Sequence, residues 1–220
     1  MRDNTKRFAA LAGLMAVFIG GATLVAPGAA LADAATLSRK PLGPASYVLR
    51  FKIANDTGAS MTSWRMEFDL PLGELVQGFL SLDIRVTRVD QHFILENAHP
   101  ILLPPGQSIG TGIVILGLSS PLNCVTRGTP CTFDTEPPST PANVRIIRVT
   151  FPSTATFLQW NLSTDNVALA GYEVTRDGVV IATTTGGSYA LPAAASGTVF
   201  GVRAFDEMGN RSALATAVYP

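Results

Sequence analysis

Apolar and polar residues alternate along much of this chain. In Ser46 to Asn55, SYVLRFKIAN, the side chains of Tyr47, Leu49, Phe51 and Ile53 fall on one side, and Arg50 and Lys52 on the other. In WRMEFDL, Trp64, Met66, Phe68 and Leu70 face one way while Arg65, Glu67 and Asp69 face the other. A period of two with one apolar face predicts half-buried antiparallel strands. LDIRVTRV repeats the pattern, with Leu82, Ile84 and Val86 expected inward, and SIGTGIVILGL reads as a more continuously apolar strand. NDTGAS, between the first two, is a turn cluster. The last part of the chain carries seven short candidates: NVRIIRVT, TFLQWNL, AGYEVTRDG, VVIATTT, SYAL, TVFGVRAFD and LATAVY. Arg176-Asp177-Gly178 joins two of them in a tight hairpin, with Gly supplying positive φ. No helical period survives for three turns.

These strands divide at DTEPPSTP, residues 134–141, where three of eight residues are proline. Extended polyproline geometry makes this a semi-rigid spacer of roughly 25 Å. The pattern predicts an all-β protein of two tandem β-sandwich domains of immunoglobulin-like, Greek-key type, at 33–133 and 142–220.

Residues 1–32 have a different character. Arg2, Lys6 and Arg7 precede an apolar run from Phe8 to about Val25, which closes on Ala30-Leu31-Ala32. That order predicts a signal peptide cleaved after Ala32, and a secreted protein. A membrane anchor is the competing reading; Gly20, Gly21 and Pro27 argue against it. The whole chain holds 16 basic and 16 acidic residues. Without residues 1–32, which contain three basic residues and Asp3, 13 and 15 remain, a net charge of about −2. With no basic run, nucleic acid is a poor partner, and no later apolar stretch is long enough for a membrane. The two cysteines, Cys124 and Cys131, fit a disulfide in an oxidising compartment if Arg127-Gly128 turns tightly. Two free buried thiols are the alternative.

Two resemblances add to this reading. LQWNLSTDNVALAGYEVTRDGVVIATTT and VRAFDEMGNRS resemble the fibronectin type III domains of secreted bacterial polysaccharide-degrading enzymes. The resemblance implies that Trp160 and Tyr172 are core residues, as the alternation also indicates. Thr198 falls where such domains often carry a tyrosine that pins a strand corner, and loss of that hydroxyl bond would cost about 1 kcal/mol. FKIANDTGASMTSWRMEFDLPLGE, NAHPILLPPGQSIGTGIVI and the closing GTPC, spanning roughly Pro44 to Cys131, resemble a family-two carbohydrate-binding module of the cellulose- or chitin-binding type.

Such modules hold polysaccharide on a flat row of three exposed rings, whose π faces meet the C–H bonds of the sugar. By resemblance, the first ring position falls near Gly43, where there is no ring, and nearby Tyr47 lies on the inward face. The second is Phe79; the third falls at Pro100, with His99 beside it. Two missing rings imply binding weakened roughly 30- to 1,000-fold. These modules often pair an early cysteine with the one in GTPC. No cysteine lies between Asp33 and Gly58, which leaves Cys124 for Cys131. The expected protein is a secreted monomer that binds insoluble cellulose or chitin weakly through Phe79, His99 and Pro100, with the type III domain as spacer. The alternative is an extracellular structural or protein-interaction protein that has lost sugar binding.

Catalytic chemistry finds little purchase. A glycosidase needs two carboxyl groups roughly 5–10 Å apart in a cleft. Glu67 and Asp69 share an ordinary solvated strand face, and Asp165 and Asp206 read as turn-formers. His92 and His99 are the only histidines and form no zinc pattern, although His92 with Asp90 is a conceivable metal pair. GQSIG, at 106–110, matches a nucleophile-elbow pattern but has a proline turn before it and a strand after it, so Ser108 reads as a turn residue. The chain is expected to be no enzyme, with no cofactor and no metal.

Overall fold

A computed structural model describes residues 34–150 and 155–220. The expected signal peptide therefore lies outside the described residues. Within them every regular element is a strand, and no helix is long and apolar enough to cross a membrane.

The first part of the chain forms β1 (Ala35–Gly43), β2 (Ser46–Ala54), β3 (Arg65–Asp69), β4 (Leu75–Phe79), β5 (Ile84–Val89), β6 (His92–Asn97), β7 (Ser108–Leu116), β8 (Leu122–Thr126), β9 (Thr129–Pro130) and β10 (Thr132–Phe133). They make two five-stranded sheets, in the orders β10-β1-β2-β7-β4 and β5-β6-β3-β8-β9. The neighbours β2 and β7, and β3 and β8, are far apart in sequence, so the chain crosses repeatedly between the sheets. The inward residues of the alternating strands meet between them. Tyr47, Leu49, Phe51 and Ile53 from one sheet pack with Trp64, Met66, Phe68 and Leu70 from the other. Trp64 stands edge-on to Phe51 with ring centroids 5.5 Å apart, and Phe68 stacks on Phe93 at 5.7 Å. Such pairs add about 0.5–1.5 kcal/mol to the area they bury.

The remainder forms β11 (Ala142–Val149), β12 (Ala155–Asn161), β13 (Leu169–Arg176), β14 (Val179–Thr184), β15 (Ser188–Ala190), β16 (Val199–Asp206) and β17 (Ala215–Val218). These are the seven strands that the sequence predicts. They pair as β11-β12-β15 and β14-β13-β16-β17 around a second core that contains Trp160 and Tyr172, 5.3 Å apart. Asp177 (φ 49°) and Gly178 (φ 83°) make the predicted hairpin turn between β13 and β14.

Three expectations need correction. Leu82 is not inward but 96% exposed, and β5 starts only at Ile84. The Asp83 N–H donates to Ser81 Oγ at 3.1 Å, a local serine turn that interrupts the strand pattern before Ile84. Thr198 does not leave its corner unbonded, since its hydroxyl donates to the Ala195 carbonyl at 2.8 Å. His92 meets Asp69 and Glu67, not Asp90, because Asp90 adopts φ 54° in the β5–β6 turn.

Cys124 and Cys131 form a disulfide with Cα atoms 5.3 Å apart. The tight turn it requires is made by Arg127 (φ 49°) and Gly128 (φ 84°).

Candidate functional site

Residues 97–108, NAHPILLPPGQS, cross from β6 to β7 and are fixed at both ends. At the start, Asn97 Oδ1 accepts the Trp64 N–H at 2.8 Å and its Nδ2 donates to the His99 carbonyl at 2.6 Å. Ile101 N–H donates to the Thr62 carbonyl, and Met61 and Leu103 exchange two backbone bonds of 2.9 Å. At the end, Gly106 N–H reaches the Asn55 carbonyl, and Asn55 N–H the Gln107 carbonyl, both at 2.8 Å. Gly106 has φ 74°, a conformation that suits glycine in the turn after two prolines.

Asn55 anchors the whole arrangement. It is fully buried, and its Nδ2 donates to the carbonyls of Leu103 (2.7 Å) and Ala59 (2.9 Å). Its Oδ1 accepts from Thr57 N–H at 3.0 Å and Thr57 Oγ1 at 2.6 Å. A buried amide satisfied on both atoms holds two loops in one geometry. Between these anchors Ile101 and Leu103 turn toward the core, while His99, Pro100 and Leu102 point to solvent.

Phe79 ends β4, the edge strand beside β7, and is 48% exposed. The turn after it is tied to the 97–103 segment. Ala98 N–H donates to the Asp83 carbonyl at 2.8 Å, and His99 Nδ1 lies 3.4 Å from Asp83 Oδ1. Ser81 and Asp83 also share with Asn97 and Ile101 the wall of a small hollow of about 110 Å³, floored by Trp64. The structure thus brings the β4 turn and the His99–Pro100 loop alongside each other. At the first ring position Gly43 carries no ring. Neighbouring Tyr47 is buried, donates its hydroxyl to the Ser119 carbonyl at 2.5 Å, and has its pKa pushed up to about 12, chiefly by burial. It cannot stack on a ligand.

Sequence reasoning missed the leucines of this surface. Leu80, Leu82 and Leu102 are all exposed, and the Leu80 side chain lies over Gly112, where an added Cβ would come within 2.9 Å of it. The signal for Leu102 was present: a period-two reading of Ile101-Leu102-Leu103 turns the middle residue outward.

The acidic residues of β3 belong to a separate polar face. His92 Nδ1 lies 2.7 Å from Asp69 Oδ1, and its Nε2 lies 3.2 Å from Glu67 Oε2. Hydrogen bonds to Asp69 and Glu67 raise the histidine pKa above its ordinary value. Arg65 holds Glu67 low and also binds Glu96, and Asn123 holds Asp69 low. Both carboxyl groups are therefore ionised at neutral pH and offer no proton to a leaving group.

No family model matches the sequence. Over 199 residues, 87% of this chain, it is 30% identical to chitinase C of Streptomyces lividans, and it spans only 32% of that enzyme's length. A chitin-binding domain from Streptomyces coelicolor matches 46% of the chain at 28% identity, with a TM-score of 0.40. A cellulose/chitin binding protein of Mycobacterium tuberculosis is 34% identical over 136 residues, which are 60% of this chain and 94% of that protein, and its counterpart in Mycobacterium bovis matches equally. At that identity and coverage, the chain belongs to the family of these mycobacterial cellulose/chitin binding proteins.

Proposed function

We propose that this protein is a secreted, non-catalytic polysaccharide-binding protein that holds cellulose or chitin weakly. The contact surface is Phe79 and Pro100, with His99 as a hydrogen-bonding neighbour. Residues 33–133 act as the carbohydrate-binding module, of family-two type, and residues 142–220 as a fibronectin type III spacer behind the linker at 134–141. The protein works as a monomer.

The observation that carries this reading is the exposure of Phe79 beside a loop that hydrogen bonds hold in place. A ring with free area on a rigid edge can stack on a pyranose without first ordering the protein, so little of the contact energy is lost. The name and coverage of the mycobacterial relatives support the same ligand class. The absence of the first and third rings, at Gly43 and Pro100, limits the strength of the contact. Catalysis is disfavoured by the ionised state of Glu67 and Asp69 on an open sheet face.

The test is retention of the full chain on insoluble cellulose and chitin. Phe79→Ala abolishes retention without lowering the melting temperature. Pro100→Trp strengthens it by about 1–2 kcal/mol, roughly 5- to 30-fold. Salt has little effect, because the contact is apolar and the protein nearly neutral. A native protein retained on neither glycan, or a folded Pro100→Trp with no gain, overturns the reading. The exposed leucines favour a second reading. Leu80, Leu82 and Leu102 offer aliphatic area, which suits a protein partner better than a sugar face. Failure on both glycans moves the assignment there.

A further inference from the structure

Three aspartates meet where the first part of the chain joins the second. Asp134 follows β10, Asp165 lies between β12 and β13, and Asp206 ends β16. Each offers a carboxylate oxygen, and these oxygens lie within 4.8 Å of one another. Asp134 is 3% exposed and Asp206 2%. Like charges this close, and this poorly hydrated, repel strongly.

The donors that reach these carboxylates are neutral amides. Asp165 Oδ2 accepts the N–H groups of Val167 and Ala168 at 2.9 and 2.7 Å. Asp206 Oδ1 accepts those of Met208 and Asn210, and its Oδ2 accepts Asn210 Nδ2 at 2.7 Å. Asp134 Oδ1 accepts the Glu136 N–H and Asn166 Nδ2 at 3.0 and 2.7 Å. These bonds account for the turns that the aspartates form, but oxygens are left over. Asp134 Oδ2, Asp165 Oδ1 and the amide Oδ1 of Asn166 are buried without a hydrogen-bond partner. Burial, added to by the charges of Asp134 and Asp206, pushes the Asp165 carboxyl above its ordinary pKa. A fold that needed these residues only for turns would not leave anionic oxygens without donors in a buried space.

We propose that Asp134, Asp165 and Asp206, with the side-chain oxygen of Asn166, form a calcium-binding site. The donor set is all oxygen, which favours a hard cation over zinc. Oxygens that all lie within 4.8 Å of one another can reach a single ion, and a cage of several protein oxygens suits calcium better than magnesium, which keeps most of its waters. Asp134 and Asn166 also border an open hollow of about 240 Å³, which gives a hydrated ion a way in. The site draws its ligands from the start of the proline-rich segment and from two loops of the second sandwich. Calcium would therefore fasten the segment to that sandwich. The site is independent of the sugar-binding surface.

The test uses the full chain stripped with a chelator. Titration with calcium chloride gives saturable heat and raises the melting temperature of the second sandwich by about 5 °C or more, and magnesium chloride at equal concentration gives a much smaller rise. Asp165→Asn removes one charge yet keeps an oxygen for the Val167 and Ala168 amides. Without metal it melts no lower than the native protein, and it loses the calcium shift. The proposal is overturned if native protein melts identically in millimolar calcium and in chelator with no heat of binding. It is equally overturned if a folded Asp165→Asn keeps the full shift. Should that variant fail to fold, the titration of native protein decides alone.

Discussion

The two sandwiches differ in what fills them. Among the described residues, the first encloses seventeen buried apolar side chains, five of them aromatic, and the second encloses seven, three of them aromatic. Polar contacts take up the difference. Glu173, buried on β13, accepts from Arg203 Nε at 2.7 Å and from Arg211 Nη2 at 2.9 Å. Ser212 Oγ accepts the Ala204 N–H, and the Tyr172 hydroxyl accepts the Ser163 N–H at 2.7 Å. An apolar core is insensitive to pH and to ions, whereas charged pairs and carboxylate clusters respond to both. The sandwich that carries the candidate sugar surface has the insensitive core, and its titrating His92, Glu67 and Asp69 lie on its outer face. The other carries a paired carboxylate, Glu173, among its buried residues.

That contrast is open to direct attack. The largest effect is expected from Trp64→Ala, which removes about 3–5 kcal/mol from the first sandwich alone. Calorimetry of this variant keeps the second transition in place, and Trp160→Ala does the reverse; a shift of both transitions in either variant breaks the division. Next comes Asn55→Ala, about 2 kcal/mol, because buried polar groups lose their partners. Urea unfolding measures the loss, and retention on chitin falls more than stability does if loop order matters to binding.

Glu173→Gln is expected to cost about 1 kcal/mol at neutral pH, confined to the second sandwich. Arg211, then Arg203, hold the Glu173 carboxyl below its ordinary value of 4.5 despite the opposing effect of burial. Its contribution is therefore complete above about 4.5 and disappears as pH falls through the lower, folded value. Melting scans from pH 7 to pH 3 should show native protein losing stability in that window and the glutamine variant losing less. A first sandwich that is equally acid-sensitive removes the contrast. The smallest effect belongs to His92. Its pKa is raised from 6.5, so its stabilisation is complete below 6.5 and fades as pH rises through the folded value. Proton NMR of the ring should place the midpoint above 6.5, and Asp69→Asn should bring it down.

Much of this fold is legible in the sequence where one face is buried and the other wet. β2, β3 and β12 show that contrast directly, and the other strands of the second sandwich are legible as short runs between turn residues. β1 does not, because Lys40, Pro41, Leu42 and Gly43 break the alternation once the strand leaves the core. β6 hides because Ile94, on its outer side, is apolar and only partly exposed between the inward Phe93 and Leu95. β9 and β10 are two-residue pieces held by the Cys124–Cys131 hairpin and by a parallel bridge to β1, and short pairings leave no period to detect. At the candidate site, Phe79, His99 and Pro100 were reached through resemblance, and the exposed leucines were missed because chain position alone does not tell a core leucine from a surface one. Asp165 and Asp206 were read as turn-formers, which their backbone bonds bear out. Their approach to Asp134 depends on packing between distant segments and has no local signature.

The position of the disulfide matters mechanically. A protein attached to a solid by its first sandwich and dragged from its far end is loaded through residue 134 once the contacts of Glu207 with Ser38, Lys40 and Arg50 give way, and tension then peels β10 from β1, where two residue pairs hold it. The tear then meets Cys131. From there the load passes covalently to Cys124 on β8, a strand seated beside β3 in the interior of the other sheet. The bond works as a rip-stop. It lets the short terminal seam open and close again under a fluctuating pull, and it keeps the rupture from running on past Cys131 into the rest of the sandwich.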